Sequence, residues 1–118
     1  KKGEASIRIA TKKGCEIFIS QKGGKEIISL SSKKDVFIEA KGGGSVTIKT
    51  EGKTIVEAKQ QVLIKAGPPG IEIVSGGPIK IEGKLMDLAA KMINIKGDMV
   101  TVEGKMVTIK GQMVKLGK

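Results

Sequence analysis

The stretch Gly97-Asp98-Met99-Val100-Thr101-Val102-Glu103, Gly104-Lys105-Met106-Val107-Thr108-Ile109-Lys110, Gly111-Gln112-Met113-Val114-Lys115-Leu116-Gly117 states one template three times with a period of seven. The template runs backwards through Ala90-Lys91-Met92-Ile93-Asn94-Ile95-Lys96 and Gly83-Lys84-Leu85-Met86-Asp87-Leu88-Ala89 to Gly76-Gly77-Pro78-Ile79-Lys80-Ile81-Glu82, giving six consecutive units. Such a period first suggests a coiled coil, because Met99, Val102, Met106, Ile109, Met113 and Leu116 alternate spacings of three and four. The residue chemistry opposes it. A glycine costs about 1 kcal/mol relative to alanine inside a helix, and Val, Ile and Thr lose rotamer freedom there. The same residues suit strands. Within each unit the pattern also has period two, so Val100/Val102, Val107/Ile109 and Val114/Leu116 form a repeat core on one face. Thr101, Thr108 and Lys115 face the other way, and Gly76, Gly83, Gly97, Gly104 and Gly111 mark the turns. The weakest unit is 84–92, where Leu85, Met86, Leu88, Ala89 and Ala90 also suit a short helix.

Upstream, the apolar-x-apolar signature continues with looser spacing at Ile7/Ile9, Ile17/Ile19, Ile28/Leu30, Val36/Ile38, Val46/Ile48, Thr54/Val56, Val62/Ile64 and Ile71/Ile73. With the six later units this predicts fourteen short strands. Between them lie turn signals: Lys13-Gly14, Lys22-Gly23-Gly24, Ser31-Ser32-Lys33-Lys34, Lys41-Gly42-Gly43-Gly44, Glu51-Gly52 and Gly67-Pro68-Pro69-Gly70. The sequence reads as one body over 1–118, with longer turns in 1–75 and minimal ones in 76–117.

Composition supports an ordered but thin architecture. Apolar residues make up 39% of the 118, yet the only aromatics are Phe18 and Phe37, so the large rings that fill globular cores are nearly absent. Seventeen glycines accompany abundant Ile and Val, whereas a disordered linker pairs high glycine with few of these. No apolar run approaches the roughly 20 residues that cross a bilayer as a helix. The start lacks both an initiator methionine and a signal segment, and the expectation is a fragment of a longer protein.

The net charge of +10 favours anionic partners in principle. Its lysines, however, are spread one or two per strand and interleaved with acids, and no aromatic platform exists for stacking bases. The expectation is a solvated face, with no nucleic-acid partner. Cys15 is the only cysteine, which excludes an intrachain disulfide and a CxxC site, and it reads as a small, partly buried thiol.

Two inward positions per strand leave a single chain little to bury, so strands must stack or chains must intertwine. A single-chain left-handed β-helix prefers a six-residue unit, and units of seven to ten that do not group into threes fit an intertwined three-chain prism better. The predicted fold class is therefore all-β, an intertwined trimeric triple-stranded β-helix, with each chain laying one strand on each face in turn. Its fourteen layers at about 4.8 Å each would make a needle roughly 65–70 Å long.

This run of Val-x-Ile strands separated by glycine turns and ending in a tight repeat resembles the C-terminal β-helical spike of contractile injection systems. That family includes the VgrG proteins of type VI secretion and the baseplate spike proteins of contractile phage tails. The resemblance covers essentially the whole chain and rests on the repeat pattern, which tail fibres and other trimeric needles share. It implies a homotrimer at the front of a contracting tube that contacts and perforates a target cell envelope. It also implies assembly in the bacterial cytoplasm into a secreted or virion-like particle. A PAAR-type cone-shaped tip protein would dock on the blunt end, here Met113, Val114, Lys115, Leu116, Gly117 and Lys118. Some phage spikes make their own tip with iron-binding histidines; this sequence has no histidine, so a self-made metal tip is not expected.

No enzymatic activity, metal or other cofactor is expected. Without histidine a Ser-His-Asp arrangement is impossible, and Cys15 has no partner base. The twelve carboxylates are scattered about one per strand and suit cross-strand pairing with lysines. Gly52-Lys53-Thr54 resembles the end of a phosphate loop, but the earlier glycine position is Thr47 and no long helix follows. Met99, Met106 and Met113 recur at one place in the unit, which marks packing near the corners and not soft-metal binding. The alternatives to a spike shaft are a trimeric fibre shaft or a rod that binds polyanions or glycans, and a bactofilin-like filament.

Overall fold

The computed structural model describes residues 5–117. Among them there is no helix, and three hydrogen-bonded strands are formed: β1 (Ala5–Ala10), β2 (Glu16–Lys22) and β3 (Lys25–Ser31). The protein is all-β, and the helical alternative for 84–92 is not adopted. The chain divides into two units, residues 1–63 and 64–118.

In the first unit the three strands form an antiparallel meander in the order β1-β2-β3. Gly23 and Gly24, at φ 64° and 72°, make a two-residue connection between β2 and β3, and Lys22 faces Lys25 across it. Left-handed φ at both central residues matches the right-handed twist of paired strands. The β1–β2 loop closes by bonds from the Gly14 N–H to the Thr11 carbonyl at 3.2 Å and from the Thr11 N–H to the Cys15 carbonyl at 2.9 Å. Sequence reading assigns successive strands to different faces, with neighbours from other chains; these three instead take their neighbours from within the chain. The tight turns decide it, because they return the chain beside itself before it can leave.

Register follows from period-two patterning. Ile7 faces Ile19 and Ile9 faces Ile17, and β2 then places Ile17 opposite Leu30 and Ile19 opposite Ile28. All six lie on one face and all are exposed. The opposite face carries Arg8 with its guanidinium 4.8 Å from the centre of the Phe18 ring, its cross-strand partner. Arg8 Nε also lies 3.6 Å from Glu16 Oε1. Beyond β3, Val36 and Phe37 border a shallow apolar hollow that includes Ile9, Ile17 and Leu30. Cys15 lies on its rim, exposed where sequence reading expects partial burial, with Sγ 3.6 Å from Ser32 Oγ.

From residue 32 onward the described residues form no in-chain strand pairs. The chain runs in extended segments separated by turns and bends. Gly42 and Gly43, at φ 65° and 80°, sit in a turn closed by the Gly44 N–H on the Lys41 carbonyl at 3.3 Å. Side-chain hydroxyls hold two later bends: Thr50 Oγ1 accepts from the Gly52 N–H at 3.2 Å, and Ser75 Oγ accepts from the Gly77 N–H at 3.1 Å. These two-residue bonds are the turn chemistry of Ser and Thr.

Candidate assembly interface

The second unit carries the heptads, and their geometry repeats as regularly as their sequence. Counting Gly76, Gly83, Ala90, Gly97, Gly104 and Gly111 as position one, the chain bends at position two of every unit: 77, 84, 91, 98, 105 and 112. Position four (Ile79, Met86, Ile93, Val100, Val107, Val114) is the more sheltered apolar position, its exposure confined to 48–55%. Position six (Ile81, Leu88, Ile95, Val102, Ile109, Leu116) is more open. Position three is the most open apolar position in all five units that carry Leu or Met there, with Met99, Met106 and Met113 at 85–86%. The two-residue alternation places positions five and seven together on the other side of the strand. Lys80 Nζ and Glu82 Oε1, at 3.2 Å, display that side directly.

The repeat glycines serve close approach. None of Gly76, Gly83, Gly97, Gly104 and Gly111 has φ in the left-handed region. A Cβ built on Gly83, Gly97, Gly104 or Gly111 would instead lie 3.2–3.4 Å from the carbonyl oxygen two residues on. At Gly97, Gly104 and Gly111 it would also meet the Cγ2 of the position-four valine at 3.6–3.9 Å. The bend thus folds tightly over its own next peptide, and the smallest residues relieve it. Ala90 occupies the equivalent place with a methyl group.

The repeat core residues Val100, Val102, Val107, Ile109, Val114 and Leu116 share one side of the strand by alternation, yet each is exposed. Among the described residues no side chain of the chain is buried at all. A folded monomer of this mass exposes about 6,100 Å² and the unfolded chain about 18,000 Å². This 12.4 kDa chain exposes 13,496 Å². From residue 45 to 117 the described backbone makes no backbone–backbone hydrogen bond within the chain. Extended peptide groups that are to be buried need partners, and along every unit these lack backbone partners in the chain while the apolar rows beside them are exposed.

At the C-terminal end the last bend falls at Gln112, followed by the extended segment Met113–Leu116. Gly117 takes a left-handed φ of 77°, and Lys118 lies outside the described residues. The sequence-predicted docking residues Met113, Val114, Lys115, Leu116 and Gly117 are therefore contiguous and exposed. Sequence reading did not anticipate the apolar face of the meander as a second uncovered surface. Its signal was present in the six aligned Ile and Leu residues. No protein family, curated protein or solved structure matches this chain.

Proposed function

We propose that this chain is a shaft segment of a membrane-piercing spike of the contractile-injection type, folded as an intertwined trimeric β-helix. One observation carries the reading: the six heptads repeat one backbone course, and each leaves its peptide groups without backbone partners in the chain and its apolar residues at positions four and six exposed. Three copies, each contributing one strand to each face in turn, supply both needs at once. The strand above and the strand below then satisfy the peptide groups, and three rows of Val and Ile close on a dry axis. Chains wound in this way separate only by unwinding, so the body can transmit force to an envelope. The contiguous C-terminal segment Met113–Gly117 is the proposed seat of a cone-shaped tip protein, as the resemblance to injection spikes implies. No catalysis enters this role.

Sedimentation equilibrium tests the reading. The expected mass is three times the 12.4 kDa of the chain, at every concentration down to the micromolar range. A mass of one chain would overturn the assembly and with it the spike. The trimer is also expected to migrate intact in SDS at room temperature, because breaking it requires many ladders to open together.

A further inference from the structure

The charges of the heptads carry information that the apolar rows do not. Positions two, five and seven are all exposed, and Lys80 and Glu82 show that five and seven share one side of the strand, opposite positions four and six. Any stack of parallel heptad strands brings like-numbered positions above one another, about 4.8 Å apart. Which unit lies above which depends on how the stack is wound. Where one chain winds alone with three strands per coil, each unit meets the unit three further on. Where chains intertwine, each unit meets its successor from the neighbouring copy.

The two windings make opposite electrostatic patterns. A three-unit step places Lys84 beside Lys105 and Glu82 beside Glu103, and it creates no opposite-charge neighbour. A one-unit step places Lys96 beside Glu103 and Glu103 beside Lys110 at position seven. At position two it sets Lys91 beside Asp98 and Asp98 beside Lys105, and at position five Lys80 beside Asp87. That makes five opposite-charge contacts against a single like-charge one, Lys84 beside Lys91. A two-unit step is balanced, with Lys84–Asp98 and Glu82–Lys96 opposed by Lys91–Lys105 and Lys96–Lys110. Opposite charges directly across a ladder stabilise it and like charges weaken it.

We infer that the outer face of 76–117 is a charge-coded interface with further copies of this chain, set at a stagger of one heptad. The columns Lys96–Glu103–Lys110 and Lys91–Asp98–Lys105 fix that stagger. Slippage by one residue is already opposed by the apolar alternation. Slippage by a whole heptad leaves every Val and Ile in place, so only features that differ between units can oppose it. The glycines, methionines and valines of 97–117 are nearly identical from unit to unit; the charges are not. The acids among the many lysines are therefore register marks, placed where they separate one lysine from the next. This rests on the trimer proposed above and specifies how its copies are aligned.

Disulfide trapping tests the stagger in the full chain with Cys15→Ser. Cysteines at 96 and 103 are expected to oxidise between copies, so that non-reducing SDS gels show a covalent trimer, each copy linked through 96 to the next copy's 103. Cysteines at 82 and 103, one coil apart in a singly wound chain, are expected to stay reduced. A monomeric band with an internal 82–103 disulfide would overturn the inference, as would a trimeric mass without the 96–103 link; the latter leaves the trimer standing. A charge test needs no thiols. Glu103→Lys makes the position-seven column a run of lysines and is expected to lower the dissociation midpoint by about 5 °C in low salt. Exchanging the signs of all three, with Lys96→Glu, Glu103→Lys and Lys110→Glu, is expected to restore it. If the triple exchange melts no higher than the single variant, the column does not set the register.

Discussion

The meander of β1–β3 and the heptads of 76–117 draw on the same amino acids and reach opposite states. Both alternate Ile, Val or Leu with polar residues, and both are punctuated by glycine. In the meander the glycines at 23 and 24 take left-handed φ, the chain doubles back, and each strand pairs with its neighbour in sequence. In the heptads the glycines at 83, 97, 104 and 111 avoid that region, and the chain bends without reversing onto itself. Strand chemistry supplies a ladder edge in both regions, and the Gly23-Gly24 turn is what gives β2 its partner in β3. Two left-handed glycines set directly between β2 and β3 close that pair locally, whereas Gly42 and Gly43 take the same φ in a turn that joins no paired strands. A bend at other φ carries the next segment away, and its edge stays unpaired within the chain.

The sharpest way to break this contrast is to place a charge where the proposed trimer would have its dry axis. Val107, half exposed in the single chain, loses little as Asp if the chain functions alone. In the proposed trimer, Val107→Asp brings three carboxylates together in an apolar interior, at several kcal/mol for each unpaired charge. The expected result is loss of the trimer and a sedimentation mass of one chain. Thr108→Asp, one residue on and facing outward, is expected to leave the mass unchanged. Equal behaviour of the two variants would mean that alternation in the heptads does not separate an inside from an outside.

Much of this was legible in the sequence, and the limits are physical. The period of seven, the position of the bends and the two-residue alternation were all readable, because glycine and Val-x-Ile spacing act locally. The origin of each strand's neighbour was not. Ile17-x-Ile19 and Val107-x-Ile109 carry the same signal, and glycine spacing does not separate them: φ at Gly23 and Gly24 closes β2 on β3, while similar φ at Gly42 and Gly43 closes no pair. Only the adjacency of Gly23 and Gly24 hinted that β2 and β3 close on each other. The exposure of Cys15 was also hidden, since it depends on the loop between β1 and β2 and not on the cysteine. The segment Met113–Gly117 was legible only as the place where the repeat ends.

A smaller effect separates the two glycine roles directly. Replacing Gly23 and Gly24 together by alanine forces Cβ atoms into left-handed φ of 64° and 72°. The cost is about 1–2 kcal/mol for each, enough to unpair β2 from β3. Amide hydrogen exchange across 16–31 is expected to quicken by about tenfold or more, with the heptads unaffected. Unchanged exchange would show that the meander is held by something other than its turn.

The smallest effect is expected at Gly104→Ala, and it bears most closely on the bend. Nothing in its φ opposes a side chain. The added Cβ meets the Met106 carbonyl oxygen at 3.4 Å and Val107 Cγ2 at 3.9 Å, close but within reach of a few tenths of an ångström of adjustment. Ala90 already occupies the same place in its own unit. Alanine also restricts the unfolded chain, a gain of about 0.4–1 kcal/mol where the native backbone accepts it. The two terms oppose each other, so the dissociation midpoint is expected to move by no more than about 3 °C. A drop well beyond that would locate the constraint outside the chain: the bend would then be crowded by the backbone of a neighbouring copy, and glycine would mark where copies touch.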